Sequence, residues 1–107
     1  MNGRRIILRR DVPEDMHSII EWVERYSTAA ADRFAQAVFD ALDDLSSMPG
    51  KGSPKHFRSA RLEGIRSWGV PGFRKFLILY RATPDAIDVL AVTHGSRNLR
   101  GLLLKRV

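Results

Sequence analysis

Six side chains on or beside the strand-like segments in the second half of this sequence are candidates to hold an anion or move a proton: Arg66, Arg74, Lys75, Arg81, His94 and Arg97. An imidazole exchanges protons near neutral pH, and a guanidinium grips phosphate or carboxylate through paired hydrogen bonds. His94 and Arg97 belong to Thr93-His94-Gly95-Ser96-Arg97, where a strand would end. Either they form a proton-exchanging, anion-holding pair, or His94 caps the strand and Arg97 is an exposed cation in the first turn of a last helix. Arg81 directly follows the apolar run Phe76 to Tyr80, so it pairs with a helix carboxylate or faces a ligand. Arg66 and Arg74 are solvated cations or part of an anion-binding surface, which Lys75, on one strand face with Arg81, would extend.

The net charge is +6, and the carboxylates cluster before position 45, leaving the second half strongly cationic. That balance favours polyanionic partners: nucleic acid, a machine that carries it, or an acidic protein. The run containing Lys51, Lys55, His56, Arg58 and Arg61 is solubilising charge or an electrostatic arm. Trp68 is a packed aromatic or a stacking platform, and Trp22 borders the apolar stripe of the first helix. Cysteine is absent, which excludes disulfides, thiolate metal sites and cysteine nucleophiles. His17 and His56 lack ligand spacing, so no metal is expected. Glu14, Asp15, Glu21 and Glu24 read as a wet helix face, and no Gly-rich phosphate loop enters a helix, so no cofactor is expected. The apolar triplet Ile6-Ile7-Leu8 is too short for a secretion signal, and no run approaches the roughly 20 residues that cross a bilayer. A soluble, cytoplasmic protein without a membrane partner is expected.

The elements that must position these residues follow from periodicity. Arg5 to Arg10 predicts a strand. Pro13 and the carboxylates beside it open a helix over about 13–26, whose apolar face is Val12, Met16, Ile19, Ile20 and Val23. Ser27 or Thr28 caps a second helix with Phe34, Val38, Ala41, Leu42, Leu45 and Met48 inward, ended by Pro49-Gly50. So short a connection folds the two helices into an antiparallel hairpin. Lys51 to Arg61 reads as a flexible basic loop. Strands follow over about Ile65–Val70, Phe73–Thr83 and Ala86–Thr93, turned by Pro71-Gly72 and Pro84-Asp85. Alternation puts Phe76, Ile78 and Tyr80 on one face and Lys75, Leu77, Leu79 and Arg81 on the other, so this strand is central and covered twice. Ser96 caps a final helix carrying Leu99, Leu102 and Leu103, with Arg100, Lys105 and Arg106 facing outward. The 107 residues suit a single α+β domain, 1–107: an N-terminal strand and an antiparallel helical hairpin on a mostly antiparallel sheet (β-α-α-β-β-β), with a short C-terminal helix.

In this order the chain resembles the RelE/ParE superfamily of toxins from bacterial toxin–antitoxin pairs over nearly its whole length, and the ParE branch most. The pieces that carry the resemblance are Leu45 with Pro49 and Gly52, Ile65-Arg66, Val70-Pro71-Gly72-Phe73, Leu77-Ile78-Leu79-Tyr80-Arg81, Ile87 to Val92, and His94-Gly95-Ser96-Arg97. The resemblance implies a RelE-like fold and a small cytoplasmic toxin silenced by a cognate antitoxin, as a homodimer or a toxin–antitoxin hetero-oligomer. Trp22 would then be one candidate antitoxin contact. ParE-like members poison DNA gyrase without a known hydrolytic centre, and Arg66, Arg74, Lys75, Arg81, His94 and Arg97 would form the target-binding surface. RelE-like members instead cut mRNA on the ribosome. His94, Arg97 and Arg81 would then be catalytic, moving a proton and stabilising phosphorane-like charge. Two residues weigh against cleavage: Leu77 stands where RelE-like members usually carry an arginine, three before the strand tyrosine, and the C-terminal catalytic tyrosine is missing, since only Tyr26 and Tyr80 exist. Gyrase inhibition is therefore the expectation, with ribosome-dependent mRNA cleavage, or a domain that only binds its antitoxin, as alternatives. Either target reading expects the cations and the imidazole on one exposed patch.

Overall fold

Val12, Phe34, Val38, Leu42 and Leu45 are all buried, so the two helical stripes read from sequence meet one surface. A computed structural model describes residues 3–107. Strand β1 (Arg5–Leu8) leads into α1 (Val12–Glu24) and α2 (Thr28–Ser47). Ser27 caps α2 by accepting the Ala30 N–H at 3.0 Å, satisfying one of the unpaired donors of its first turn. Then come β2 (Ser53–Pro54), β3 (Ile65–Val70), β4 (Phe73–Ala82), β5 (Ala86–His94) and α3 (Leu99–Leu104). The sheet order is β1-β5-β4-β3-β2, parallel only between β1 and β5. The expected α+β architecture, with a helical hairpin on a mostly antiparallel sheet, is the one observed.

Strand β4 is central, and both its faces are covered. Ile78 and Tyr80 pack beneath the hairpin, while Leu79 packs with Leu62, Ile65, Leu90 and Leu103 under the 55–64 segment and α3. Each such fully buried side chain contributes roughly 1.5–3 kcal/mol. Between β4 and β5 the register shifts: Leu79 faces Ala91 but Tyr80 faces Val89, leaving Leu90 as the extra residue of a bulge. Leu90 and Ala91 therefore both serve the α3 side. Gly72, at φ +82°, makes the tight β3–β4 turn, a conformation that side chains with a Cβ rarely adopt.

The 51–61 segment is not the free loop expected. A 3-10 turn over Pro49–Lys51, the short β2 paired to β3, and a second 3-10 turn over Ala60–Leu62 organise it. Tyr80 anchors its start: the hydroxyl donates to Pro49 O (2.7 Å) and accepts the Gly52 N–H (2.9 Å). A Cβ on residue 52 would lie 2.6 Å from that hydroxyl oxygen, so only glycine fits.

The C-terminal end also departs from expectation. Asn98, not Ser96, caps α3, its side chain accepting the Gly101 N–H. Arg106, expected outside, and Asp15, expected on a wet helix face, form a bidentate pair at 2.6 and 2.8 Å, their side chains only 11% and 10% exposed. Arg106 also donates to Leu90 O (3.1 Å), and Asp15 accepts the Val92 N–H (3.1 Å). These are edge groups of β5 beyond the last β1 pairing, Leu8 with Val89. The Asp15 hydrogen bond holds the Arg106 guanidinium above the ordinary arginine range, outweighing desolvation. Arg9 adds a bidentate pair to Asp88 (3.0 and 2.8 Å) and donates to Arg106 O (3.2 Å).

Removing one member of a buried pair strands the other charge, so Arg106→Met is expected to lower the urea-derived unfolding free energy by about 3 kcal/mol. An unchanged midpoint and slope would show the pair to be peripheral. Tyr80 offers a second check. Burial raises the phenol above its usual range, against the opposing Gly52 hydrogen bond and the Arg66 charge, so the folded state prefers the neutral form. That stability is complete below the unfolded value near 10 and is lost as pH rises through the higher folded value. Tyr80→Phe is expected to cost about 1–3 kcal/mol at neutral pH, through the stranded Gly52 N–H, and to flatten the alkaline decline. An equally steep decline in the variant would contradict the assignment.

Candidate functional site

Helix α1 places Asp15, Ile19 and Trp22 at spacings of four and three, one face of a helix, beside the ends of β4 and β5. Between them lies a groove of about 450 Å³ with Ile19, Trp22, Phe76 and Val92 as its apolar part and Glu14, Asp15, His94 and Arg97 as its polar part. Phe76 is the hub. Its ring meets Phe34 (5.5 Å), His94 (5.2 Å) and Trp22 (6.2 Å) edge to face, and Trp22 meets Tyr26 at 5.4 Å, geometries worth about 0.5–1.5 kcal/mol each beyond burial. Phe76 and His94 are paired across β4 and β5, which brings the imidazole to the hairpin side.

A turn presents His94 and Arg97. Gly95 N–H donates to Lys75 O (2.7 Å), and Arg97 N–H to His94 O (3.2 Å). The Ser96 backbone N–H donates to His94 Nδ1 at 3.1 Å, with Ser96 Oγ 2.8 Å from the same nitrogen. A backbone N–H can only donate, so Nδ1 is the acceptor and Nε2 carries the ring hydrogen. The imidazole thus offers a partner a hydrogen-bond donor. Among the described residues no side chain orients Nε2, and the Arg97 guanidinium forms no ion pair. Arg97 precedes α3 and does not occupy its first turn. The groove thus brings together one donor imidazole, one guanidinium without an ion pair, an aromatic floor and an acidic wall.

The other expected site residues do not join this groove. Arg74 and Lys51 lie over the Trp68 ring at 5.8 and 4.8 Å. That indole is half-buried against the hairpin core, so it serves packing and cation–π contact and not as a bare stacking platform. Arg66 donates to Gly52 O (2.6 Å) and Gly50 O (3.3 Å), bracing the turn beside Tyr80. Arg81 reaches no helix carboxylate; it clamps Glu63 O (3.0 Å) and Arg61 O (2.7 Å) on the opposite side of the sheet. Lys75 is exposed, and its strand position alternates with that of Phe76. The single patch resolves into a His94–Arg97 groove, a Trp68 cluster and an Arg81 clamp. Phe76 and the Asp15–Ile19–Trp22 face were missed as groove walls. Helical spacing on α1, and β4 alternation continued into β5, are the signals that carried them.

The chain is similar to known proteins over most of its length. The family model of the ParE toxin of type II toxin–antitoxin system, parDE, matches residues 6–99. Toxin ParE2 of Mycobacterium tuberculosis, in strains CDC 1551 / Oshkosh and ATCC 25618 / H37Rv, is 28% identical over 98 residues, covering 89% of this chain and 85% of that protein. A solved chain of the chromosomal ParDE TA system from P. aeruginosa superposes with a TM-score of 0.67 at 15% identity, covering 88% of this chain and 98% of that one. That last likeness is one of fold.

Above the titration range of imidazole, long-range proton–nitrogen spectra are expected to show His94 with a bare Nδ1 and a protonated Nε2. The opposite tautomer would remove the donor assignment.

Proposed function

We propose, from the premise that this chain belongs to the ParE toxin family of type II toxin–antitoxin systems, that it arrests growth by binding DNA gyrase and is silenced by a cognate antitoxin. The observation that carries the target reading is the equipment of the groove. A donor imidazole whose Nδ1 is engaged by Ser96, beside an unpaired Arg97, suits recognition of carboxylates or carbonyls on a protein surface. Nucleolytic chemistry on RNA asks instead for converging cations and a free base at the reacting atoms. Arg81 is held at the opposite sheet face by backbone carbonyls, and Leu77 stands where RelE-like members usually carry an arginine. His94 and Arg97 are the proposed target contacts; Arg66, Arg74 and Lys75 lie outside the groove and are not proposed as contacts.

The antitoxin has a separate apolar surface to cover. Ile6, Ile7 and Leu8 of edge strand β1 are each about 40% exposed, and Phe39 on α2 is 58% exposed. Beside them a wholly apolar groove of about 210 Å³ is lined by Leu8, Met16, Ile20, Phe39 and Leu42, among others. An amphipathic antitoxin segment laid there would bury what the free toxin leaves in water, giving a hetero-oligomer in the cytoplasm. No helix among the described residues is long and apolar enough to cross a membrane.

Purified protein is expected to block gyrase supercoiling. His94→Ala and Arg97→Ala should each raise the half-inhibitory concentration about tenfold or more, the loss of a charge-assisted hydrogen bond worth roughly 1.5 kcal/mol or more. Undisturbed supercoiling alongside cuts in ribosome-bound message at the A-site codon would replace gyrase with the ribosome.

A further inference from the structure

Charge and apolar exposure are segregated between the two sides of the sheet. The hairpin side, from Val12 to Ser47, carries eight carboxylates against two arginines. The other side is built by the 55–64 segment and the 98–107 segment packed on Ile65, Leu79, Leu90 and Ala91. Those two segments carry six cations and one acidic side chain, Glu63. Only Arg106 among the six forms a side-chain ion pair within the described residues. Two of the rest are held in place by backbone oxygens: Arg61 donates to Val107 O (2.7 Å) and Leu104 O (3.2 Å), and Arg100 to Arg58 O (3.1 Å). Arg81, from β4, adds its own clamp on Glu63 O and Arg61 O. A guanidinium has five donors, so each clamp orients the side chain while leaving further N–H groups free, and the internal carbonyls held by Arg81 and Arg100 leave the charge of both uncompensated.

What this face lacks identifies the kind of partner. A protein interface needs an apolar centre, yet among the described residues every large apolar side chain well exposed to solvent lies in β1, the hairpin or the residues bordering it. Single strands are held by bare aromatic platforms, and the well-exposed Trp, Tyr and Phe rings among the described residues, Trp22, Tyr26 and Phe39, are on the hairpin side, while the other face has only the His56 imidazole and a part-buried Phe57. A cationic surface without an apolar centre or a bare Trp, Tyr or Phe platform is suited to the phosphates of a duplex. We propose that the face formed by the 55–64 segment and α3 docks on the phosphodiester backbone of duplex DNA without reading bases. The choice of DNA over RNA rests on the gyrase reading above; the charge segregation does not. The toxin would then hold gyrase through the His94–Arg97 groove while its opposite, cationic face engages the DNA that the enzyme carries.

Binding of the full chain to a short labelled DNA duplex, followed by anisotropy across a salt series without gyrase present, separates this proposal from the target reading. The triple variant Arg58→Gln, Arg100→Gln, Lys105→Gln is expected to flatten the slope of log affinity against log salt by about 2–3, at roughly 0.9 for each phosphate no longer neutralised. The matched triple Arg10→Gln, Arg25→Gln, Arg33→Gln, which removes the same charge elsewhere, should leave the slope in place. The double variant Arg58→Lys, Arg100→Lys should keep it as well. Equal flattening by both glutamine triples would assign binding to net charge alone and overturn the face. Loss of binding in the lysine double variant would show that the side chains act through folding, with the same consequence. Tighter binding to duplex RNA or single-stranded DNA would overturn the choice of duplex DNA.

Discussion

Strand β5 runs past its parallel neighbour β1, and a sheet edge left open in the interior must find hydrogen-bond partners or lose stability. Two side chains supply them. Arg106 takes the carbonyl of the bulged Leu90, Asp15 takes the Val92 N–H, and the two bind each other bidentately. The isolated pair would be costly to bury, because each ion loses its water. Here both ions also satisfy backbone groups that no strand reaches, which changes the comparison with an apolar replacement. The same pair joins the start of α1 to the last turn after α3, and Arg9 extends the join to β1 through Asp88 and the Arg106 carbonyl. Three distant parts of the chain thereby share one lock.

That lock sets the groove. Asp15 forms part of its wall and is immobilised by Arg106, while Ile19 and Trp22 continue the same helical face toward Phe76 and His94. The imidazole is fixed on its other side by the Ser96 N–H, so ring position and tautomer are set within the fold itself. Under the proposed reading, such preorganisation would lower the ordering cost of binding. The charge segregation across the sheet follows from the same layering. Acidic helices cover one side and an arginine-rich wrap the other, with β4 between them.

Repeating patterns were legible in the sequence, and single long-range contacts were not. Helical spacing identified α1 and α2, Ser27 as the cap, and the buried stripe from Phe34 to Leu45. Alternation identified β4 as a strand covered on both faces. The period of two fails at the β5 bulge, where one extra residue puts Leu90 and Ala91 on one side. Asp15 sits among exposed carboxylates and Arg106 among exposed cations, so local pattern assigns both to water; their union spans nearly the whole chain. His94 and Arg97 do line one groove, because the two-residue Gly95-Ser96 turn joins them. Arg66, Arg74 and Arg81 sit on different stretches of β3 and β4, and only register and side-chain reach decide where each guanidinium ends. The glycine-rich, cationic 51–61 segment looked free because the Tyr80 hydroxyl that anchors it lies 28 residues from Gly52.

Native-state hydrogen exchange at the Val92 amide tests most directly whether side chains close the β5 edge and fix the groove. This amide is expected to exchange with the slowest core amides of β4 and β5, and Arg106→Met to accelerate it selectively. Exchange at loop rates in the unaltered protein would contradict the claim, because the Asp15 carboxylate would then not be holding that edge.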